Sequence, residues 1–326
     1  MRALVTGATG CLGRNLVERL IEDGKGVVAT GRNARVGTAL SSRGAAFVRA
    51  DIADREAVAA AARGVDVVFH CAALAAPWGS PEEFRRVNVD GTASAVDAAI
   101  SAGAAMVHVS TPSIYFDFRD RLDIDEYDDL PARQVNEYAR TKLLAEAVVD
   151  LAVETRGLRA VTIRPRAIFG PHDTALFPRV IAASRGGRVP LVGRGHVLAD
   201  VTCVSNVVDA MLLAAGKADS LAGRKYNITN GTPILVHDLL AMAFHGMGLE
   251  FRPRRLPYPA AYCAASMMEL AACITRKEPR LTRYSAGVLR YHQTLSIRRA
   301  RAELGYTPRK STAAGVGEYA RWRRGP

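Results

Sequence analysis

The sequence reads as an α/β chain built on a doubly wound parallel sheet. Short apolar runs alternate with helix-length stretches through its first half. The first run, residues 3–5, leads into three glycines set three apart, Gly7, Gly10 and Gly13, and an amphipathic helical pattern follows over residues 12–21. The 326 residues hold enough apolar material for a sizeable core, yet no apolar run reaches the ~18–20 uncharged residues of a membrane span.

Taken in order, residues 26–30, 46–49, 65–70, 106–110 and 159–164 carry the β-branched and apolar runs expected of strands. Residues 57–62, 81–102 and 137–156 read as the helices between them. After about Gly170 the order becomes irregular, punctuated by Gly186, Gly187, Gly193 and Gly195. Strand patterns at 197–203 and 224–228 and helical ones at 207–215 and 236–247 remain. The expected organisation is therefore a nucleotide-binding domain over 1–170. A mainly substrate-binding portion follows over 171–326, with segments returning to the sheet.

Composition narrows the function classes. The net charge of +12 is nearly all arginine excess spread along the chain, densest at Arg298, Arg299, Arg301, Arg309, Lys310, Arg321, Arg323 and Arg324. That spread reads as solvated surface, not as a nucleic-acid footprint, although its field favours anionic ligands. Cys11, Cys71, Cys203, Cys263 and Cys273 fit neither a disulfide framework nor the spacing of a metal site. No metal and a reducing, cytoplasmic setting are expected, and the N-terminus lacks the pattern of a signal peptide.

The glycine turn carries the first chemical signal. Gly7 allows a tight turn off the strand, Gly10 lets backbone approach a pyrophosphate, and Gly13 lets the helix sit close to the sheet. The helix N-terminus then offers N–H groups and partial positive charge to phosphates. The spacing G-x-x-G-x-x-G within Thr6-Gly-Ala-Thr-Gly10 resembles the extended short-chain dehydrogenases/reductases. That resemblance implies a Rossmann-like fold and a dinucleotide held by Gly7, Thr9, Gly10, Cys11, Leu12 and Gly13. At the end of the second strand, where an acid would take the ribose hydroxyls of NAD, stands Gly31, followed by Arg32. Arg32 suits a 2′-phosphate, with Arg14 and Arg35 able to assist, so NADP(H) is expected ahead of NAD(H). The resemblance further assigns Asp51 and Ile52 to the adenine, Ala72 and Ala73 to the nicotinamide ribose and pyrophosphate, and Pro165 to the cofactor site. It also makes 88–92 the start of the next helix.

The reacting centre follows. Ser110, Thr111 and Ser113 lie at the carboxyl end of a predicted strand, and Tyr138 and Lys142, four apart, share one face of a helix. Alone, Tyr-x-x-x-Lys is a weak signal; placed about 125 residues after the glycine turn it becomes strong. Tyr138 would exchange a proton with a substrate oxygen, its pKa lowered by Lys142 and the oxidised nicotinamide. The resemblance implies that Lys142 also holds the nicotinamide ribose and that Thr111, or else Ser113, orients the substrate oxygen. Tyr115 stands as a substrate candidate, with a packed aromatic beneath the site as the preferred reading.

The substrate segment discriminates within the family. Sugar-nucleotide enzymes place an Asn where this chain has Ala167 and an Arg where it has Ala199, beside Asp200, so two diphosphate ligands are missing. Arg164-Pro-Arg-Ala-Ile-Phe-Gly-Pro171, with 279–284, 293–295 and 304–308, is similar instead to the 3β-hydroxysteroid dehydrogenase-like group. Its bacterial relatives include 2-alkyl-3-oxoalkanoate reductases. The resemblance implies a secondary alcohol/ketone interconversion on a hydrophobic substrate, 3-hydroxysteroid-like or 2-alkyl-3-oxoacid-like; a nucleotide-sugar epimerase/dehydratase and a non-catalytic NADP-sensing protein are the alternatives. Arg166 is a candidate for a substrate carboxylate or for an ion pair with Asp173 or Asp200. The apolar stretch 257–275 fits a buried helix or lid over a greasy pocket ahead of a helix laid on a membrane surface. Self-association as a homodimer through 91–102 and 137–156 is a further implication of the resemblance.

Overall fold

The computed structural model describes residues 1–184, 187–193 and 195–325. Gly186, one of the expected punctuating glycines, lies outside them. Seven parallel strands form the central sheet: β1 (Arg2–Thr6), β2 (Gly26–Gly31), β3 (Ala46–Arg49), β4 (Val67–His70), β5 (Ala105–Val109), β6 (Ala160–Pro165) and β7 (Lys225–Ile228). Their order is β3-β2-β1-β4-β5-β6-β7, so the direction of winding reverses between β1 and β4. Ligands of open α/β sheets bind at that switch point, outside the carboxyl ends of the strands.

Side-chain alternation on β1 explains why both faces are covered. Ala3 and Val5 point into one core, with Leu16, Val17 and Leu20 of helix α1 (Cys11–Glu22) and with Val204, Val207 and Met211. Leu4 points the other way, toward Ala95 and Ala99 of α2 (Gly91–Ser101) and Val149 and Ala152 of α3 (Glu137–Arg156). A strand buried on both faces reads as a continuous apolar run, as this one does.

Two expected elements come out divided. Residues 81–102 are one continuous helical path, but it widens to a π turn over Arg85–Asp90 before α2 begins. The single strand expected over 197–203 is two short ones, Leu198–Ala199 and Thr202–Cys203. Asp200 lies in the break, and its carboxylate accepts a hydrogen bond from Leu295 N at 2.7 Å.

The two halves interleave. Strand β7 comes from beyond residue 170 yet completes the central sheet, whereas Arg121–Ile124 leaves the first half to join Gln293–Leu295, Leu198–Ala199 and Ile234–Leu235 in a smaller sheet. Helix α4 (Tyr258–Thr275) packs through Ala261 against Val192 and Ala286. Among the described residues no helix is long and apolar enough to cross a membrane.

Candidate active site

The glycine turn connects β1 to α1 with the geometry a dinucleotide needs. Gly7 has φ +66°, and a Cβ there would sit 2.7 Å from the backbone of Ala72, so the turn and the loop after β4 lie flush. A Cβ on Gly13 would run into the Gly7 carbonyl oxygen. Gly10 differs: its Cβ would meet only the Gly7 oxygen at 3.4 Å, so the protein itself does not demand a glycine there. Gly10 also gives α1 no side-chain cap, leaving the first-turn N–H groups of Cys11 and Leu12 for a ligand. The open space at Gly10 and the uncapped helix fit a pyrophosphate. At the adenosine end, a Cβ on Gly31 would press on the Thr9 hydroxyl at 2.7 Å. Arg32 is exposed there and acts on Asp51, which itself pairs with Arg86 at 3.1 Å. Arg14, expected to assist with phosphate, pairs through Nε with Glu18 at 3.2 Å.

The loop after β4 is pinned by a residue from the widened turn. Asn88 accepts from Leu74 N at 2.8 Å and donates to Thr141 of α3 at 3.0 Å, which fixes Ala72 and Ala73 beside the glycines. Beneath them His70 bridges Thr6 at 2.8 Å and Thr92 at 2.9 Å, and burial holds its pKa down at about 3. It is a neutral strut of the core. Ile52 packs on Gly91, and Pro165 is buried at the carboxyl end of β6.

The hydroxyl groups gather at the end of β5. Thr111 Oγ1 donates to Ser113 Oγ at 3.0 Å and accepts from Ser113 N at 3.2 Å, and Ser113 Oγ shares a proton with the Tyr284 hydroxyl at 2.8 Å. Thr111 also acts on the Tyr138 phenol and pulls its pKa down. Burial outweighs that pull and pushes the phenol up to about 12. Lys142 is turned elsewhere: its ammonium donates to the Val109 carbonyl at 2.7 Å, and burial brings its pKa down to about 8.

Two arginines at the end of β6 differ sharply. Arg164 donates to both oxygens of Glu146, at 2.9 and 2.6 Å, and to the Tyr115 hydroxyl. Against the opposing push of burial, each partner holds the other charged. Tyr115 has 0% exposure and donates to Asn227 at 3.2 Å, which corrects its place among the substrate contacts: it is a packed aromatic under the site. Arg166, 6% exposed, donates to the neutral Gln293, and among the described residues no carboxylate lies within ion-pair distance of it. The expected pairing with Asp173 is corrected, because that carboxylate caps the helix Leu176–Ala183 through the N–H groups of Ala175, Leu176 and Phe177. Asp200 acts on Arg166 from farther off, and burial raises its own pKa to about 6. Gln293 Nε2 and Asp200 Oδ1 are buried without partners. Tyr284 acts on both Arg166 and Tyr138, which couples the buried cation electrostatically to the hydroxyl cluster.

Tyr284 also lines a cavity of about 490 Å³, with Trp78, Phe84, Phe118, Gln134 and Tyr262. Phe118 and Tyr262 stack edge to face at 6.4 Å, which makes one wall aromatic. Helix α4 contributes Tyr262 and Glu269, the latter held by Arg283 at 2.6 Å. Its inner side thus faces the cavity, and its outer side is not buried.

The family model described as "NAD dependent epimerase/dehydratase family" matches residues 3–229, more than two-thirds of the chain. The chain belongs to that family. As an epimerase/dehydratase-family protein it is 35% identical to a 4-hydroxy-2-methyl-3-oxo-4-farnesyl-3,4-dihydroquinoline-1-oxide ketoreductase of Stigmatella aurantiaca, over 97% of this chain and 95% of that one. It is 34% identical to a 2-alkyl-3-oxoalkanoate reductase of Stenotrophomonas maltophilia, over 97% of each. Among solved structures, MoeE5 in complex with UDP-glucose and NAD shares 28% identity, a TM-score of 0.76 and 99% coverage of both chains. The protein is thus an NAD(P)-dependent oxidoreductase with a Rossmann-like sheet and a site for a nicotinamide cofactor.

Within this family frame, the sequence reading missed Tyr284 and the Glu146–Arg164 pair. Tyr284 meets Ser113 across 171 residues of chain; the segment 279–284 carries the resemblance but gives its tyrosine no site role. Glu146 carried one signal, an acid four residues beyond Lys142 on the same helical face.

Proposed function

We propose that the protein is an NADP(H)-dependent reductase of 3-oxoacids with a large apolar substituent. The observation that carries this reading is Arg166, a buried guanidinium with a neutral partner, under the influence of Tyr284, which bonds Ser113 of the hydroxyl cluster and lines an aromatic-walled cavity. A buried cation lacking a direct carboxylate partner favours an anionic ligand. A substrate carboxylate would accept from Arg166 and from the unpartnered Gln293 Nε2, its 3-oxo group would reach Tyr138, and the alkyl tail would fill the cavity. The names of the two relatives, a ketoreductase and an oxoalkanoate reductase, agree with this direction.

The bound nicotinamide would supply a hydride to the carbonyl carbon. The chain's own task is the oxygen, which gains negative charge and needs a proton. With its pKa near 12, Tyr138 keeps its proton at neutral pH and suits the role of donor in the reductive direction. Thr111, and Ser113 behind it, would orient the oxygen. Lys142, still mostly protonated at pH 7, would leave Val109 for the ribose hydroxyls. The missing acid at Gly31, with Arg32 exposed beside it, supports NADP(H) over NAD(H).

The test is oxidation of NADPH, with NADH in parallel, against 2-alkyl-3-oxoacids, their methyl esters, steroids and simple ketones. We expect turnover on the free acids, preference for NADPH, and a Tyr138→Phe variant at least about 10³-fold slower that still binds NADPH. Equal rates on acids and esters would remove Arg166 from the argument; an active Phe variant would remove Tyr138.

A further inference from the structure

Helix α4 presents an outer face that water does not explain. Of its 18 residues, Tyr258 to Thr275, only Glu269 is charged, and that carboxylate is 8% exposed and turned inward to Arg283. Ala261, Ala265 and Ala272 share the inner face with it. On the opposite side Cys263, Met267, Leu270 and Ile274 fall at successive steps of four, three and four residues, one narrow stripe of the helix. Met267 is 72%, Leu270 68% and Ile274 81% exposed. A solvent-facing helix surface ordinarily carries charge; this one carries none.

Charge is concentrated instead at the two ends. Arg254 and Arg255 are exposed just before the helix, and Arg276, Lys277 and Arg280 just after it. Among the described residues none of these five has an acidic partner; the nearby acids Glu250 and Glu278 are taken by Arg252 and Arg179. An apolar stripe bracketed by free cations is the pattern of a helix that lies in the plane of an anionic lipid surface. The inner side of the same helix lines the aromatic cavity through Tyr262 and Glu269.

We infer that α4 docks this enzyme on bilayers containing anionic phospholipid, its Met267–Leu270–Ile274 stripe entering the headgroup boundary and the flanking cations meeting the lipid charge. Docking places the cavity mouth at the source of apolar substrates, while the catalytic cluster stays in water. The inference does not need the proposed substrate, since binding is read without turnover.

The experiment is co-sedimentation of the full chain with phosphatidylcholine vesicles, with and without a quarter phosphatidylglycerol, at low and high salt. We expect at least tenfold more bound protein on the mixed vesicles and loss of that excess in high salt. A Met267→Glu/Leu270→Glu/Ile274→Glu variant should bind at least tenfold less, and an Arg276→Glu/Lys277→Glu/Arg280→Glu variant should lose the preference for phosphatidylglycerol. Unchanged circular dichroism and melting would show that both remain folded; these side chains touch neither the cavity nor the hydroxyl cluster. Absence of vesicle binding by the wild-type chain overturns the inference. So does a wild-type dimer, seen by light scattering, that the glutamate variant dissolves without any effect of lipid: the stripe would then belong between two copies.

Discussion

Arg164 and Arg166 sit two residues apart at the end of one strand, equally buried, and have opposite fates. The first is closed off: two hydrogen bonds to Glu146, one to Tyr115, and a cation–π contact with that ring at 5.2 Å. The second has a neutral amide and a distant carboxylate, so burial lowers its pKa where that of Arg164 is raised. Burial alone therefore does not separate a structural charge from one kept for a ligand. The count of satisfied donors does. Arg164 holds β6, α3 and the aromatic under the site in one piece, whereas Arg166 makes one side-chain hydrogen bond among the described residues, to Gln293.

The largest expected effect breaks the closed pair. Arg164→Met strands the Glu146 carboxylate in the core and should cost about 3–5 kcal/mol of stability, measured by urea unfolding, because removing one partner of a buried pair leaves an uncompensated charge. Arg166→Met should leave stability within about 1 kcal/mol, since no partner charge is stranded in direct contact. It should lower kcat/KM on a 3-oxoacid by roughly 10–100-fold, the worth of charge-assisted hydrogen bonds, while the methyl ester changes less than about threefold. If both substitutions behaved alike in both assays, the contrast between the two arginines would be false.

The smallest effect reads the distant carboxylate. Burial raises the Asp200 pKa from 3.8 to about 6, so its contribution to stability is present in full below the lower value and lost as pH rises through the upper one. Asp200→Asn fixes the neutral state. It should raise stability at pH 8 by roughly 1–2 kcal/mol and change nothing near pH 4, the gain being trimmed by lost attraction to Arg166. In the wild-type chain the KM for a 3-oxoacid should fall as pH drops through 6, when Asp200 stops competing for Arg166; in the Asn variant that step should be absent.

Much of this was legible in the residues because period and punctuation agree. The helix over Glu137–Arg156 and the strand Ala46–Arg49 begin and end where the apolar pattern does, and the glycine turn is marked by three residues whose spacing has a steric cause. The π turn was not legible: it depends on Asn88 reaching Leu74 and Thr141, a contact between three elements that no local propensity encodes. Nor was the break at Asp200, which exists because one carboxylate satisfies Leu295 N. Tyr138 shows the same limit in the site. Spacing places it with Lys142 on one face, but the sign of its pKa shift is set by enclosure, and enclosure comes from distant chain such as Tyr284.

The contact between Thr9 and Gly31 ties the first βα turn to the tip of the neighbouring strand. A Cβ at position 31 would press on the threonine side chain, so a residue larger than glycine there requires Thr9 to shift or to be made smaller. The adenosine end of the site is thus set by two positions together, 9 and 31, and an engineer reshaping it should alter both.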